Sequence, residues 1–569
     1  MNLAAIYHRP LSEFAHAVGP DTYIFRLRTA KGDLSKVVFG FADRASMEPE
    51  LDFEETDMKL VRSDALYDWY EVELKTDIER IAYYFTLVKG EEIIYYLGDC
   101  FEKTPEVGRA DYFQLPFNLR GNRLEIPKWA RDAVVYNIFP DSFATGKRYI
   151  SGKEESTTYN GEECNSLLGG KIKGITENLD YIKELGFNCV YLNPIFAAGC
   201  YHKYDLLDYF HIDPLRGTDD EFKDMVKKAH ELGMKVIIDG VFNHVSFKHE
   251  FFKDVVEKGR ASKYYDCFYD LKDGDLSMPK QGEKPGYTCF AYVPQMPKTN
   301  TKNVFLRDYF CKVGSYWIEE FDVDGWRLDV ANEVDDDFLR AFRASVKAAK
   351  SDALVIGEVW ENANHYINNL ALDSAMNYDF RRFAEGFIAK DKLDAKEFDN
   401  RISNLLMRYP KQALSASLNL LDSHDVSRFF TLCDGDIDKM ELGILFQMTF
   451  VGMPSVFYGD EAGLMGLTEP EYRQAMDFSM SHALYGIYKK LISLRNSYED
   501  LRSDSFETLY TEGKVYGYKR GNVIVFFNAG DKNEKIVCPG GKVILKKNFD
   551  DEILGKGGYV VVDTTILSK

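Results

Sequence analysis

The sequence predicts an α/β protein built on a (β/α)8 TIM barrel, with one β-sandwich before the barrel and a second, smaller one after it. A length of 569 residues leaves room for several domains. From Ala133 onward, short apolar runs alternate with amphipathic helical stretches, which is typical of parallel βα units. On both sides of this region the runs alternate between apolar and polar residues and end at turn residues, which is typical of antiparallel sheets.

The N-terminal region is expected to form the first sandwich, over residues 1–120. Its strand candidates are TYIFRLRT, KVVFGFAD, DWYEVEL and IAYYFTLV. The segment LPFNLRGNRLEIPKWARD contains Pro116, Gly121 and Pro127 and is interpreted as a linker. At the other end, FETLYT, VYGYKR, VIVFFNA and GYVVVDT predict the smaller sandwich, over residues 505–569.

The middle region, residues 121–504, carries eight strand candidates. They are AVVYNIF, NCVYLNP, KVIIDGV, DVDGWRLD, LVIGEV, SAMNY, SASLNLL and PSVFYG. Eight βα units favour a closed barrel over a doubly wound sheet. A loop-rich insertion follows the third strand, over residues 245–305, and should project beside the mouth of the barrel. The apolar run from Leu442 to Tyr458 is interrupted by Pro454 and predicts a buried helix followed by a buried strand rather than a membrane span.

The amino-acid composition limits the kinds of partner that the protein is expected to bind. The formal net charge of −20 argues against nucleic acid and anionic membranes, which require a basic surface, and favours a neutral small substrate. The nine cysteines include no CxxC pair, so neither a disulfide framework nor a zinc ribbon is expected, and a reducing compartment fits best. The N-terminus lacks a basic segment followed by a long apolar core, so we expect no secretion signal and a cytoplasmic location.

Catalytic groups of TIM barrels lie where strands end at the C-terminal face. The third strand ends with Asp239 and leads to His244, and the fourth carries Arg327 and Asp329. The fifth ends with Glu358, and the seventh leads to His424 and Asp425. A single aspartate at such a position usually caps a helix, and a single histidine is usually structural. Their joint occurrence on four strands predicts an active site.

Two of these carboxylates suit glycosidic-bond cleavage. Arg327 and Asp329 are two residues apart and so point to the same face of the strand, where the guanidinium should keep Asp329 ionised. Glu358 follows an apolar strand and precedes Trp360, so a raised pKa and a general-acid role are expected. Hydrolysis of a glycosidic bond through an oxocarbenium-like transition state requires two carboxyl groups with different pKa values, one ionised and one protonated.

Four motifs make a resemblance recognisable. VIIDGVFNH, GWRLDVANE, VIGEVW and LLDSHD resemble, in order and placement, the four conserved regions of the α-amylase family of glycoside hydrolases. The N-terminal region, VANE and MPKTN resemble the subgroup of cyclomaltodextrinases, neopullulanases and maltogenic amylases, although Thr299 stands where leucine is usual. The similarity runs through essentially the whole chain.

The resemblance implies a role for each matching residue. Asp329 would be the nucleophile, Glu358 the acid/base catalyst and Asp425 the stabiliser of the transition state. Seven further residues would bind the sugar or hold those that do: His202, Tyr204, Asp239, His244, Arg327, Trp360 and His424. The alternative for Trp360 is a packed core residue.

The chain also departs from its family pattern. Many relatives carry an Asp/Asn-rich calcium loop, whereas this chain has the basic loop FATGKRYISGKEE, and Lys171 where an aspartate is expected. Calcium needs several oxygen ligands, so we expect no calcium at that position. The sequence shows no dinucleotide fingerprint, P-loop or spaced metal-ligand motif, and no cofactor or metal is expected.

The resulting interpretation is a retaining α-glucan hydrolase that acts on maltooligosaccharides, cyclomaltodextrins, starch and pullulan, with some transglycosylation. An exo-acting α-glucosidase or dedicated transglycosylase would carry the same three carboxylates. A non-catalytic sugar-binding protein should lack one of them, which this chain does not. The subgroup commonly forms dimers in which the N-terminal sandwich covers a partner's active site, so a homodimer is expected.

Overall fold

A computed structural model describes residues 1–98, 100–106, 108–272, 274–479 and 482–565. Ten strands form the N-terminal sandwich: β1 Ala15–Ala17, β2 Thr22–Ala30, β3 Lys36–Asp43, β4 Glu54–Asp57, β5 Lys59–Ser63, β6 Tyr67–Lys75, β7 Ile81–Lys89, β8 Glu92–Leu97, β9 Cys100–Glu102 and β10 Phe113–Leu115. One sheet has the order β1-β2-β6-β5 and the other β4-β3-β7-β8-β9, with β10 added to β7. Aromatic rings such as Phe25, Phe39 and Tyr83 fill the space between the sheets, because alternate residues of each strand face inward.

Eight parallel strands close into the predicted barrel. They are β11 Val135–Ile138, β14 Cys189–Leu192, β15 Lys235–Gly240, β16 Gly325–Leu328, β17 Leu354–Gly357, β18 Ser374–Asn377, β19 Leu418–Leu420 and β20 Met453–Phe457. Seven of them lie within their candidates, β20 begins one residue before PSVFYG, and the fold-class prediction is confirmed. Apart from Lys235 at the start of β15, the strands are buried along their whole length, because side chains fill the interior and helices cover the outside.

The helices lie mostly between these strands. Their bounds are α1 Lys128–Asp132, α2 Pro140–Phe143, α3 Ile172–Leu185, α4 Asp219–Glu231, α5 Glu250–Lys258, α6 Val304–Phe321, α7 Asp336–Ala349, α8 Tyr378–Ala384, α9 Ala395–Met407, α10 Lys411–Leu414, α11 Phe429–Leu432, α12 Ile437–Thr449 and α13 Ala483–Ser497. Helix α4 begins at a capping box in which Thr218 and Glu221 satisfy each other's backbone N–H groups. Helix α12 is buried from Met440 to Thr449 and leads into β20, as predicted for this apolar run. No helix in the described part of the chain combines the length and apolarity needed to cross a membrane.

Two loop regions rise above the barrel mouth. The insertion after β15 is loop-rich but contains α5, which the sequence pattern did not reveal. A hairpin of β12 (Glu155–Tyr159) and β13 (Glu162–Ser166) follows the first barrel strand, where the sequence indicated only a loop. Isolated bridges join His244 to Lys298 and Phe268 to Thr299, which ties the insertion to the end of β15.

The C-terminal strands form one antiparallel sheet with the order β21-β22-β23-β26-β24, with β25 added to β26. Their bounds are β21 Glu507–Glu512, β22 Val515–Arg520, β23 Val523–Asn528, β24 Glu534–Lys535, β25 Lys542–Asp550 and β26 Ile553–Asp563. One face, with Tyr516 and Phe527, joins the core of the barrel. The other, with Phe526 and Val560, closes a small core of its own.

Candidate active site

The candidate site lies at the C-terminal ends of the barrel strands. Strands β15 and β16 pair so that Asp239 lies beside Arg327. Asp329 follows β16 and Glu358 follows β17, and Asp425 lies in the loop after β19. The closed barrel therefore gathers at one mouth the charged residues that the sequence singled out on separate strands.

Arg327 is the centre of this cluster. Its Nη1 donates hydrogen bonds to Asp239 Oδ1 at 2.9 Å and to Asp329 Oδ1 at 2.8 Å. Its Nη2 lies 2.9 Å from Glu358 Oε2, at ion-pair distance. The arginine side chain is fully buried, and the Asp329 and Glu358 side chains are only 8% and 7% exposed. One guanidinium thus fixes the positions of three carboxylates.

The sequence predicted that Arg327 would keep Asp329 ionised, but in this geometry burial and neighbouring carboxylates outweigh the guanidinium. The guanidinium contacts both carboxylates at nearly equal distance. Burial raises the pKa of Asp329 well above its usual value, and Arg327 lowers it, whereas Glu358, Asp239 and Asp425 raise it further. A cluster with more carboxylates than cations can retain a proton, which is a requirement for acid catalysis.

The backbone between the two carboxylates is strained. Val330 has φ 46° and ψ 47°, a left-handed conformation that a β-branched residue rarely adopts. Its N–H donates to Glu358 Oε2 at 2.9 Å. The unfavourable conformation therefore aims a donor at the carboxylate, and such strain is commonly retained at functional sites.

A second network connects Asp239 to the seventh strand. Asp239 Oδ2 accepts hydrogen bonds from the hydroxyls of Tyr191 at 2.8 Å and Tyr204 at 3.0 Å. The Tyr204 hydroxyl also lies 2.6 Å from His424 Nε2. Asn193 Nδ2 lies 2.9 Å from His424 Nδ1, so the amide donates to Nδ1 and the ring proton sits on Nε2.

Asp425 is held from the opposite side. His424 Nε2 lies 3.0 Å from its Oδ2, and Arg473 Nη2 lies 3.5 Å from its Oδ1. Burial acts to raise the pKa of Asp425, but the interactions with His424, Arg327 and Arg473 outweigh it and lower the pKa to about 2. Asp425 is therefore ionised across the physiological range and can accept hydrogen bonds from sugar hydroxyls.

The remaining predicted residues surround this cluster. Trp360 is 51% exposed, its Nε1 donates to Glu358 Oε1 at 2.9 Å, and its ring stacks on Tyr378 at 4.2 Å. His244 is fully buried, its Nε2 lies 3.1 Å from the Tyr204 carbonyl oxygen, and burial lowers the pKa of its ring to about 3. His202 Nδ1 accepts a hydrogen bond from the Tyr204 N–H at 3.0 Å. These contacts link all ten residues singled out from the sequence into one network at the barrel mouth.

Several members of the network were not predicted from the sequence. Asn193 ends the second barrel strand, so inspection of every strand end for amides as well as charges could have found it. Phe290 stacks on His244 at 4.9 Å, and Tyr378 stacks on Trp360. Arg473 approaches Asp425 from a loop beyond the eighth strand, and no local pattern indicated it.

The loop region that relatives use for calcium holds a lysine here. Lys171 Nζ pairs with Glu155 and donates to the Leu215 carbonyl oxygen at 3.0 Å. A fixed ammonium group disfavours a cation in its place. The absence of calcium from this position stays a prediction.

A barrel whose mouth holds buried, guanidinium-linked carboxylates beside exposed aromatic rings has the features of a glycoside hydrolase. Comparisons with known proteins agree. Residues 137–488 match the catalytic domain of alpha amylase, and residues 1–118 match the alpha amylase N-terminal Ig-like domain. The chain belongs to the α-amylase family and is a glycoside hydrolase.

Individual relatives are similar over nearly the whole chain. A cyclomaltodextrinase of Geobacillus thermopakistaniensis is 39% identical, with 95% of this chain and 93% of the relative covered. Neopullulanase 2 of Thermoactinomyces vulgaris is 36% identical, with 98% and 97% covered. A solved structure of a cyclomaltodextrinase superposes with a TM-score of 0.90 at 33% identity, covering 99% of this chain and 100% of that one.

Proposed function

We propose that the protein is a retaining α-glucan hydrolase of the cyclomaltodextrinase type. Its substrates are cyclomaltodextrins, maltooligosaccharides, pullulan and starch, with α-1,4 bonds and some α-1,6 bonds cleaved and some transglycosylation. The names of the relatives support this substrate class. The observation that carries the chemistry is the bridge from Arg327 to Asp329 and Glu358, which places two carboxylates on the terminal nitrogens of one guanidinium. Retaining enzymes need such proximity, at about 5 Å, because one carboxylate attacks the sugar while the other donates a proton.

In the first step, Glu358 donates its proton to the glycosidic oxygen while Asp329 attacks the anomeric carbon, forming a covalent glycosyl ester. In the second step, the Glu358 carboxylate removes a proton from water, and the hydroxide oxygen displaces Asp329. Val330 N–H and Trp360 Nε1 each hold one oxygen of Glu358, so its carboxyl plane is fixed for both proton transfers. Two inversions at one carbon give net retention.

The other residues bind and polarise the sugar. Asp425 is kept ionised by His424 and Arg473. It accepts hydrogen bonds from hydroxyls of the sugar before the scissile bond and stabilises the positive charge that develops on that sugar. Tyr204 stacks parallel to His424 and provides an aromatic face for that sugar, with His202 and His244 nearby. Asp239 holds Arg327, and the exposed Trp360 contacts the sugar beyond the scissile bond.

The decisive experiment follows the products from β-cyclodextrin, pullulan, maltotriose and starch by chromatography, with the anomer of the first product determined by NMR. We expect α-anomeric maltose and glucose from cyclodextrin, released faster than from starch. A β-anomeric first product would contradict the double displacement. Release of glucose alone from every substrate would instead indicate the exo-acting α-glucosidase.

Rescue by azide tests which carboxylate is the nucleophile and which is the acid/base catalyst. With a substrate whose leaving group needs no protonation, azide should restore activity to Glu358→Ala more than to Asp329→Ala. The Glu358→Ala product should be the α-glycosyl azide, because the covalent ester still forms on Asp329. A β-glycosyl azide from Glu358→Ala would exchange the two roles.

We also propose a homodimer in a reducing, cytoplasmic compartment. The sandwich contacts its own barrel through Arg26, which donates to the Tyr409 carbonyl oxygen at 3.0 Å, and Gln412, which donates to the Ala17 carbonyl oxygen at 2.8 Å. It also contacts the segment between β17 and β18, where Arg9 Nη2 donates to Asn364 Oδ1 at 3.2 Å. The sandwich therefore packs along its own barrel, and we propose that it covers a partner's active site. Cys164, Cys189, Cys267 and Cys433 are buried thiols that form no disulfide. This state fits a reducing compartment.

Sedimentation of the full chain should show a dimer, and a chain lacking residues 1–120 should be a monomer with less activity on cyclomaltodextrins relative to starch. A narrow pocket adds contacts around a compact ring and excludes a long helical chain. A monomeric full-length enzyme with the same substrate ranking would refute the covering role.

A further inference from the structure

We propose that Cys200, His202 and Asp205 form a binding site for one thiophilic divalent cation of the Zn²⁺ type, and that an ion bound there blocks substrate. The sequence shows no spaced metal motif, but the loop after β14 brings these three side chains together. One ligand atom from each residue lies within 4.8 Å of the other two. The proposal that the ion blocks substrate rests on the proposed function, in which His202 binds sugar. The proposal that the ion binds does not depend on that function.

The spacing of the ligand atoms is close to that of a metal centre. Zn²⁺ takes sulfur at about 2.3 Å and nitrogen or oxygen at about 2.0–2.2 Å, which separates tetrahedral ligand atoms by about 3.5 Å. The three side chains must therefore close by roughly an ångström, a change that small side-chain rotations can make. Water or substrate would complete the coordination, as in open zinc sites.

The loop that carries the ligands is already fixed. Lys203, between the ligands, has φ 63°, and its buried ammonium lies 2.8 Å from Asp213 Oδ2 and donates to the Asn165 carbonyl oxygen at 3.1 Å. The Cys200 N–H donates to Asp205 Oδ1 at 2.9 Å. Little backbone freedom remains to be lost when an ion binds, and Asp213 neutralises the lysine charge that would otherwise repel it.

The ligand types select the class of ion. A thiolate and an imidazole favour Zn²⁺, Co²⁺ or Cu²⁺, whereas Ca²⁺ and Mg²⁺ require mainly oxygen. The Tyr204 N–H already donates to Nδ1 of His202, so Nε2 is the ring nitrogen left to bind an ion. Binding replaces the Cys200 thiol proton by the metal ion.

The position of His202 links the ion to the active site. Its Nδ1 accepts from the Tyr204 N–H, and the Tyr204 hydroxyl lies 2.6 Å from His424 Nε2 and donates to Asp239. An ion held by His202 therefore occupies one wall of the proposed sugar pocket. We expect it to compete with substrate and to leave the proton-transfer geometry at Glu358 intact.

Co²⁺ titration of the full-length protein tests the site without relying on activity, since thiolate ligation gives a near-ultraviolet charge-transfer band. We expect this band to saturate at one ion per chain and to disappear in Cys200→Ser, with at least about a tenfold loss of affinity, the lower bound seen even for residues that only support metal ligands. Cys200→Ala repeats the test with a second side chain. Cys311→Ser is the matched control, because Cys311 is also half-buried but lies on α6. The site is refuted if Cys200→Ser and Cys200→Ala bind Co²⁺ as the wild type does, or if Cys311→Ser loses the band.

Kinetics with Zn²⁺ and maltotriose test the blocking. Zn²⁺ should raise KM and leave kcat unchanged in the wild type and Cys311→Ser, and Cys200→Ser should need at least about tenfold more Zn²⁺ for the same effect. A normal Co²⁺ band with no inhibition would overturn the blocking and count against His202 as a sugar ligand. A normal band in an enzyme that hydrolyses no α-glucan would instead overturn only the proposed function.

Discussion

Asp324 and Asp329 flank the same four-residue strand, β16, and lie in opposite electrostatic surroundings. Asp324, at the N-terminal end, is fully buried with its oxygens 2.7 Å from His230 Nε2, 2.7 Å from Lys235 Nζ and 2.8 Å from Lys350 Nζ. Asp329, at the C-terminal end, shares one cation with Asp239 and Glu358. Asp324 has three donor partners, whereas Asp329 shares a single guanidinium with two other carboxylates.

The pKa values follow this difference. Burial acts to raise the pKa of Asp324, but hydrogen bonds from His230, Lys235 and Lys350 outweigh it and lower the pKa well below the usual range. Burial and neighbouring carboxylates raise the pKa of Asp329. The surroundings of Asp324 stabilise the folded state. Those of Asp329 hold several carboxylates close together, at an energetic cost, where protons must be exchanged. The bottom of the barrel is therefore expected to govern stability and the mouth to govern activity.

The largest expected effect is the loss of turnover in Asp329→Asn and Glu358→Gln. Each should lower kcat by at least about a thousandfold, because each removes a chemical step that binding cannot replace. Melting temperature should stay the same or rise, since one repelling carboxylate is removed from the cluster. Steady-state kinetics and calorimetry on the same samples check both parts. Near-normal turnover in either purified variant would end the catalytic assignment.

At the other end of the strand, Asp324→Asn should destabilise the protein by about 2–3 kcal/mol, because it removes the negative charge of a buried carboxylate to which three partly exposed donors bind. The activity of each folded molecule should be unchanged. Asp322→Asn is the matched control: Asp322 also contacts Lys350, at 2.8 Å, but its side chain is 68% exposed. Its loss should cost less than about 0.5 kcal/mol. Equal destabilisation by the two variants would show that the buried position of Asp324 does not increase its contribution to stability.

The stability of Asp324→Asn should also depend differently on pH. A carboxylate whose pKa is lowered on folding stabilises the fold above its unfolded value, about 3.9, and this contribution is lost as pH falls toward the folded value. The difference in melting temperature between wild type and variant should therefore be constant near neutrality and shrink below about pH 4. A difference that grows on acidification would contradict the lowered pKa.

A smaller effect is expected from Trp360→Phe. It removes the indole N–H that holds Glu358 but keeps a ring to stack on Tyr378, so kcat/KM should fall about fivefold, as for one hydrogen bond of about 1 kcal/mol. Trp129→Phe is the control, because the Trp129 Nε1 also donates at 2.9 Å, to the Asp352 carbonyl oxygen, at the bottom of the barrel. Its kcat/KM should be unchanged. A similar loss in both variants would show a general packing effect.

The smallest effect is expected from removal of calcium. The Lys171 ammonium occupies the position at which many relatives have a calcium-binding aspartate, and it pairs with Glu155. Chelator treatment should therefore change activity and melting temperature very little. A fall of melting temperature that calcium restores and magnesium does not would reveal a calcium site elsewhere.

Much of the fold could be predicted because the barrel strands are short, mostly apolar runs, and three of them lead directly to charged residues at the barrel mouth. The same pattern placed Asp239, Arg327, Asp329 and Glu358 at strand ends. The β12–β13 hairpin was missed because ESTTY and EECNS are polar on both faces, and no alternation marks them as strands. Helix α5 was missed although Phe251, Phe252 and Val255 recur at helical spacing, because it is only nine residues long and lies in an insertion rich in aromatic residues.

The sequence by itself determined the barrel, the flanking β domains and the set of carboxylates, because periodicity and strand-end position are local properties. Only the tertiary structure decided how those carboxylates share charge. Arg327 contacts Asp329 and Glu358 alike, and Arg473 reaches Asp425 from a loop 48 residues further along the chain. The cluster of Cys200, His202 and Asp205 likewise depends on how one loop turns. Electrostatic energies depend on the distance between groups in space and on their burial, not on their separation along the chain. They are therefore set only once the chain is folded.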